Sequence, residues 1–183
     1  EHALRARDSF AIEEVEFQSY KDLISILSKH YPERSFVLRP HPGENAEAWR
    51  EHLVRHQNVD IEQQGSVAAW ALAADLVIHC CCTTGLEAEL LGRPTLSFCP
   101  IDNFNHDVLV VNDIVASVAS IDEVSAVVND LASATSKLRA HFETRFAHLD
   151  QHLALTREGS SSQTIVETFK AALDARSANR VTR

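Results

Sequence analysis

The sequence is short of positive charge. Its 183 residues include 17 lysines and arginines against 26 aspartates and glutamates, a formal net charge of −9. Proteins that bind along a phosphate backbone need a basic surface, so this balance argues against nucleic acid as a partner. Long apolar runs are missing as well, and neither a transmembrane segment nor a secretory signal is visible.

Glycine and the common catalytic motifs are also scarce. The five glycines form no dinucleotide fingerprint, and the chain has neither a Walker A sequence nor a GxSxG nucleophile motif. No nucleophile stands with a base beside it in the sequence. The sequence therefore gives no sign of a dinucleotide-binding fingerprint, a Walker A phosphate-binding loop or a GxSxG hydrolase site.

Cysteine is present only four times, as Cys80, Cys81, Cys82 and Cys99. Three consecutive cysteines in a buried turn do not make a disulfide framework, which indicates a reducing compartment. We expect the cytoplasm, the inner face of the cytoplasmic membrane included. A metal site needs better-spaced ligands, so we predict structural thiols and no required metal.

What the chain does contain is an alternation of helix-like and strand-like patterns. In chain order these are helix Phe10–Lys29, strand Ser35–Arg39, helix Asn45–Arg55, strand Val59–Ile61, helix Ser66–Ala74, strand Leu76–His79, a further helix, and strand Thr95–Phe98. Such alternation with short connections predicts an α/β fold, a Rossmann-like parallel sheet with helices on both faces. These sheets bind ligands beyond the carboxyl ends of their strands.

Beyond Pro100 the patterns are weaker. Two apolar segments, Val108–Val111 and Ile114–Val118, predict short strands or buried turns. Three predicted helices follow: Glu123–Ala132 with Asp122 as cap, Ser136–Asp150 and Gln163–Ala175. We expect one domain over residues 1–176 with a polar tail over 177–183. Because the chain begins at Glu1 and not at a methionine, we also expect a fragment of a larger protein.

A strand, a turn of small residues and a helix follow one another in Ala74–Pro94, ADLVIHCCCTTGLEAELLGRP. The first N–H groups of a helix have no internal partner and carry partial positive charge. Thr83 and Thr84 add hydroxyl donors there, and Gly85 leaves room for a ligand. The turn therefore predicts an anion site, most simply for phosphate. The alternative is that Thr84 only caps the helix.

A second candidate lies in PHPGE, directly after the strand Ser35–Arg39. Two prolines hold its backbone, so His41 is aimed rigidly at a strand end, where an imidazole can bind a phosphate. The alternative is that His41 only orders the loop. Arg39 is placed to reach a phosphate or to form a salt bridge within the sheet.

Other polar residues of the region have more than one interpretation. Glu87 near the helix start could accept hydrogen bonds from a sugar diol, or it could be a solvated surface carboxylate. Glu89 points elsewhere on the helix and is predicted to be structural. His79, at the end of a buried strand, is predicted to be a satisfied core residue. A polar loop after Pro100 could touch a base or an acceptor: Asp102, Asn103, Asn105 and His106.

RPHPGEN at Arg39–Asn45 and CTTGLEAELLGRP at Cys82–Pro94 together resemble the C-terminal halves of GT-B-type glycosyltransferases. The pattern is most similar to bacterial surface-polysaccharide biosynthesis proteins, including the capsule Kdo transferases. Those carry an HP motif and a T/S-x-x-G-F/L-E-A-L-L-x-G-K/R-P stretch in the same order. The likeness covers about Phe17–Pro100, with a weaker echo in Gly159–Ala175.

The resemblance implies one half of a GT-B fold that binds a nucleotide-sugar donor, with a CMP-linked sugar as one option. By the same resemblance His41, Thr83 and Thr84 contact the donor phosphate and Glu87 holds the ribose. His41 is the implied catalytic residue. The acceptor would be a polysaccharide or a lipid-linked sugar.

The chain departs from that family in two ways. The triple cysteine is unusual, and no counterpart of the N-terminal domain, which carries the acceptor site, is present. We therefore expect this chain to be inactive by itself. Two other functions stay open on the same scaffold: a polyol-phosphate transferase or sugar-nucleotide epimerase, and a non-catalytic scaffold for polysaccharide assembly.

Overall fold

The computed structural model describes residues 2–80, 82–101 and 110–146. The chain divides into two compact units, Glu1–Arg145 and Phe146–Arg183. The elements below belong to the first unit, apart from the last residue of the final helix. The predicted helix Gln163–Ala175, the polar tail and the end of the predicted single domain lie outside the described residues.

Helices and short strands alternate through the described residues. The helices are α1 His2–His30, α2 Ala46–Leu53, α3 Val67–Ala73, α4 Thr83–Leu90, α5 Val110–Ile114, α6 Ile121–Asn129 and α7 Leu131–Phe146. The strands are β1 Phe36–Leu38, β2 Val59–Ile61, β3 Val77–His79, β4 Thr95–Phe98 and β5 Ser117–Val118. The predicted α/β order is confirmed.

The strand pairs are parallel, as predicted for a Rossmann-like fold. β1 pairs with β2, with Phe36 opposite Val59. β3, β4 and β5 form a second sheet in that order, with His79 opposite Ser97. Each parallel pair needs a helix as its crossover, which explains why α2, α4 and α5 separate the paired strands.

Strand β4 is the centre of the core and is buried along its whole length. Side chains alternate across a strand, so Leu96 and Phe98 face one layer while Thr95 and Ser97 face the other. The first layer is a cluster contributed by α1, α6 and α7: Leu23, Leu27, Val124, Val128 and Leu138. The second is formed by α4, which packs on β3 and β4 and contacts α3 and α5. Helices thus cover both faces of β4.

Local capping chemistry sets several helix starts. Asn45 accepts a hydrogen bond from the Glu47 amide at 3.0 Å, and Ser66 accepts one from Ala69 at 3.2 Å. Asparagine and serine are common at helix starts, because a side-chain oxygen there satisfies a backbone amide that has no partner within the helix.

Four details of the sequence prediction are wrong. Helix α1 begins at His2, ahead of the predicted start at Phe10. Helix α6 begins after a Ser120–Glu123 capping box and not after Asp122, since the reciprocal bonds satisfy two backbone donors. Helix α7 begins at Leu131, ahead of the predicted start, and α5 occupies residues predicted as strand or turn.

Candidate functional site

The loop after β1 is ordered by its own hydrogen bonds. Nδ1 of His41 accepts from the Gly43 amide at 3.1 Å, while the His41 amide donates to Oε1 of Glu44 at 3.2 Å. Oε2 of Glu44 accepts from the indole of Trp49 at 2.8 Å, which ties the loop to α2. His41 itself is exposed. Because Nδ1 is an acceptor, the neutral ring carries its proton on Nε2, which can donate to a ligand.

Glu44 is a residue that sequence reasoning missed. Its position one residue before the Asn45 cap was the available signal, since a carboxylate there can turn back onto the loop.

Arg39 is engaged by the loop after β2. Its guanidinium donates to the carbonyls of Gln64 at 2.7 Å and Gly65 at 3.1 Å. It also lies over the Trp70 ring, 5.7 Å from the centroid. These contacts join the loops that follow two neighbouring parallel strands. A contact from Arg39 to phosphate stays a prediction.

The turn between β3 and α4 differs from the sequence interpretation in its cap. The N-cap residue is Cys82, whose side chain makes no capping hydrogen bond. The alternative in which Thr84 only caps the helix is therefore wrong. Thr83 is exposed and Thr84 half-buried in the first turn. The Gly85 amide donates to the Cys82 carbonyl at 3.1 Å. The amides of Thr83 and Thr84 precede it at the start of the helix, and we call this pair the helix mouth.

His79 is packed beneath this first turn. It is 5% exposed, as expected for a core residue, but its Nε2 has no hydrogen-bond partner. Burial lowers the pKa of His79 to about 4, so the ring is neutral at neutral pH. A Cβ added to Gly85 would lie 2.1 Å from that Nε2. Only glycine leaves room for the imidazole there.

The two glutamates of α4 have opposite environments. Glu87 is exposed on the second turn of the helix, because α4 begins earlier than the sequence suggested. Glu89 is buried, and burial raises its pKa to about 7. The Thr95 amide and the Arg139 charge act in the other direction and lower this pKa, but their effect is smaller. Sequence reasoning missed this burial. The available signal was that Glu89 lies four residues after Gly85, on one helix face.

The His41 loop follows a strand of the two-stranded sheet, whereas Thr83 follows a strand of the three-stranded sheet. No hydrogen bond between these two loops is found among the described residues, and their convergence on one ligand stays a prediction. Cys81 and the polar loop from Asp102 to His106 lie outside the described residues. A groove of about 220 Å³ lies elsewhere, between α6 and α7, and none of the predicted site residues lines it.

Within the described ranges, no group of three or more His, Cys, Asp or Glu side chains is arranged to hold a metal ion. Cys80 and Cys82 are free thiols. Comparison of the chain with protein-family models, with curated proteins and with solved structures gave no match. The resemblance to glycosyltransferases therefore depends on the two motifs alone.

Replacing the N-cap cysteine should stabilise the protein. Cys82→Ser places a good acceptor at an N-cap with extended backbone, and we expect a gain of about 0.5–1 kcal/mol in the free energy of unfolding. Urea denaturation measures it. Cys80→Ser is the matched control, since Cys80 precedes the cap position and should give no gain. Equal stabilities of the two variants would contradict the capping argument.

Proposed function

We propose that this chain is the donor-nucleotide-binding domain of a glycosyltransferase that builds a surface polysaccharide, with a CMP-linked sugar as one option for the donor. In this proposal the chain supplies the nucleotide site, and a further domain supplies the acceptor site. The acceptor is a polysaccharide or a lipid-linked sugar. The chain by itself would bind nucleotide without turnover.

The observation that carries the proposal is the helix mouth after β3. The side chain of the N-cap residue Cys82 makes no capping bond, so no cap side chain competes with a ligand for the amides of the first turn. Thr83 and Thr84 lie at that mouth, whereas the space beside Gly85 is filled by the His79 ring. Partial positive charge, free amides and hydroxyl donors together favour a phosphate group.

The remaining roles follow from chemistry. Nε2–H of His41 would donate to the leaving phosphate, and with the mouth it would offset the charge that grows there as the sugar departs. Glu87 is one helical turn away from the mouth, which suits a carboxylate that accepts from ribose hydroxyls and avoids the phosphate. Fixing the ribose would also fix the position of the anomeric carbon.

No helix within the described part of the chain combines the length and the apolar character needed to cross a membrane. We propose a cytoplasmic enzyme, working at the inner face of the membrane where a lipid-linked acceptor would be reached. The free thiols of Cys80 and Cys82 favour a reducing compartment.

Calorimetric titration of the chain with CMP, CDP and UDP tests the proposal. We expect binding of at least one nucleotide, weakened about 10-fold by Thr84→Val or by His41→Ala, because each removes a hydrogen bond to charged phosphate. Glu87→Gln should weaken nucleotide binding and leave inorganic phosphate binding unchanged.

Each variant has a matched control on the same chain. Thr144→Val removes an exposed helical hydroxyl on α7, and His30→Ala removes an exposed imidazole at the end of α1. Both should bind nucleotide like the unmodified chain. The absence of binding by all three nucleotides, or equal losses in the controls, would refute the proposal.

A further inference from the structure

His79 joins strand β3 to the helix mouth without reaching the solvent. Its Nδ1 accepts a long hydrogen bond from the Cys82 amide at 3.4 Å, and its Nε2 is buried without a partner. The ring is 5% exposed and packs against Gly85 inside the first turn of α4. The imidazole therefore contacts Cys82, which precedes the helix mouth, and Gly85, which follows it.

Among the described residues of this turn, the Cys82 side chain contributes little to holding the backbone in place. Cys82 has an extended backbone, with φ −111° and ψ 164°, and its side chain makes no capping bond. Its Sγ lies 3.9 Å from Nδ1 of His79, which is a weak contact. The alignment of the Thr83 and Thr84 amides depends on the backbone of Cys82, because those amides follow it directly.

Packing alone does not explain an imidazole at this position. A buried nitrogen without a partner lowers stability, and a leucine would fill similar space without that penalty. The feature that leucine lacks is the acceptor for the Cys82 amide. The neutral ring keeps Nδ1 available as this acceptor.

We infer that His79 is a positioning residue for the proposed phosphate site, acting through the Cys82 amide and Gly85 and never touching the ligand. The inference rests on the proposed function for the identity of the ligand. In this role the buried imidazole of His79 orients the two threonine amides.

Two variants separate positioning from packing. His79→Leu keeps the volume and loses the acceptor, whereas His79→Asn keeps an acceptor at the place of Nδ1 and loses the volume. Inorganic phosphate is titrated into the chain and followed by the NMR shifts of the Thr83 and Thr84 amides, with stability measured in urea.

We expect stability and affinity to move in opposite directions. His79→Leu should be at least as stable as the unmodified chain but should bind phosphate about 10-fold more weakly. His79→Asn should be less stable and bind within about twofold of the unmodified chain. Affinity that simply follows stability in both variants would overturn the inference.

Hydrogen exchange at the Cys82 amide keeps the inference separate from the proposed function. Exchange should be faster in His79→Leu than in the unmodified chain or in His79→Asn. If neither phosphate nor any nucleotide binds the unmodified chain, the proposed function fails, and the exchange rates still decide the role of His79. Equal rates in all three proteins would overturn that role.

Discussion

Gly85→Ala should destabilise the protein by about 2–4 kcal/mol, a large effect for one added methyl group. The new Cβ would lie 2.1 Å from Nε2 and 2.4 Å from Cε1 of His79. The imidazole cannot swing aside, because it is buried between β3 and α4. Either α4 shifts away from the strand or the ring leaves its position, and each lowers the free energy of unfolding measured in urea.

Two further variants isolate this contact. In Gly43→Ala the nearest atom is Nδ1 of the exposed His41 at 3.3 Å, a ring that can give way, so the change should stay within about 0.5 kcal/mol. In the double variant His79→Ala, Gly85→Ala the space is free, and the combined loss should be smaller than the sum by about 1–3 kcal/mol. Additive losses would show that the ring is not the cause.

Glu89→Gln should raise the free energy of unfolding above pH 7 by about 1–3 kcal/mol. Burial raises the pKa of Glu89 from 4.5 to about 7 in the folded protein. The folded state thus prefers the protonated form, while the unfolded chain ionises near 4.5. The contribution of Glu89 to stability is therefore greatest below pH 4.5 and is lost as the pH rises from 4.5 to 7. Glutamine does not ionise and avoids this loss.

Urea denaturation over that pH range provides the measurement. The gain from Glu89→Gln should grow between pH 4.5 and 7 and level off above it. Glu143→Gln is the control, since Glu143 is exposed and only 3.8 Å from the same Arg139. Its stability should follow the pH dependence of the unmodified chain. A gain at Glu89 that does not vary with pH would contradict the ionisation argument.

Much of the candidate site could be foreseen from single residue types. Histidine between two prolines after a strand, and threonines before a glycine at a helix start, are local features, and both loops follow parallel strands as expected. The N-cap was misplaced because cysteine is a poor cap, and its position is visible only in the backbone. The partners of Arg39 were also hidden, since Gln64 and Gly65 belong to another loop.

The amino-acid sequence by itself determined the α/β order, the caps at Asn45 and Ser66, and the limits of β2 and β4. These depend on side chains and backbone groups a few residues apart, whose conformational preferences do not require the rest of the fold. Only the tertiary structure decided that Gly85 must make room for His79 and that Glu89 is buried beside Thr95 and Arg139. Burial and close approach depend on how separate elements pack against one another, and the residue pattern of a single helix or strand does not contain that packing.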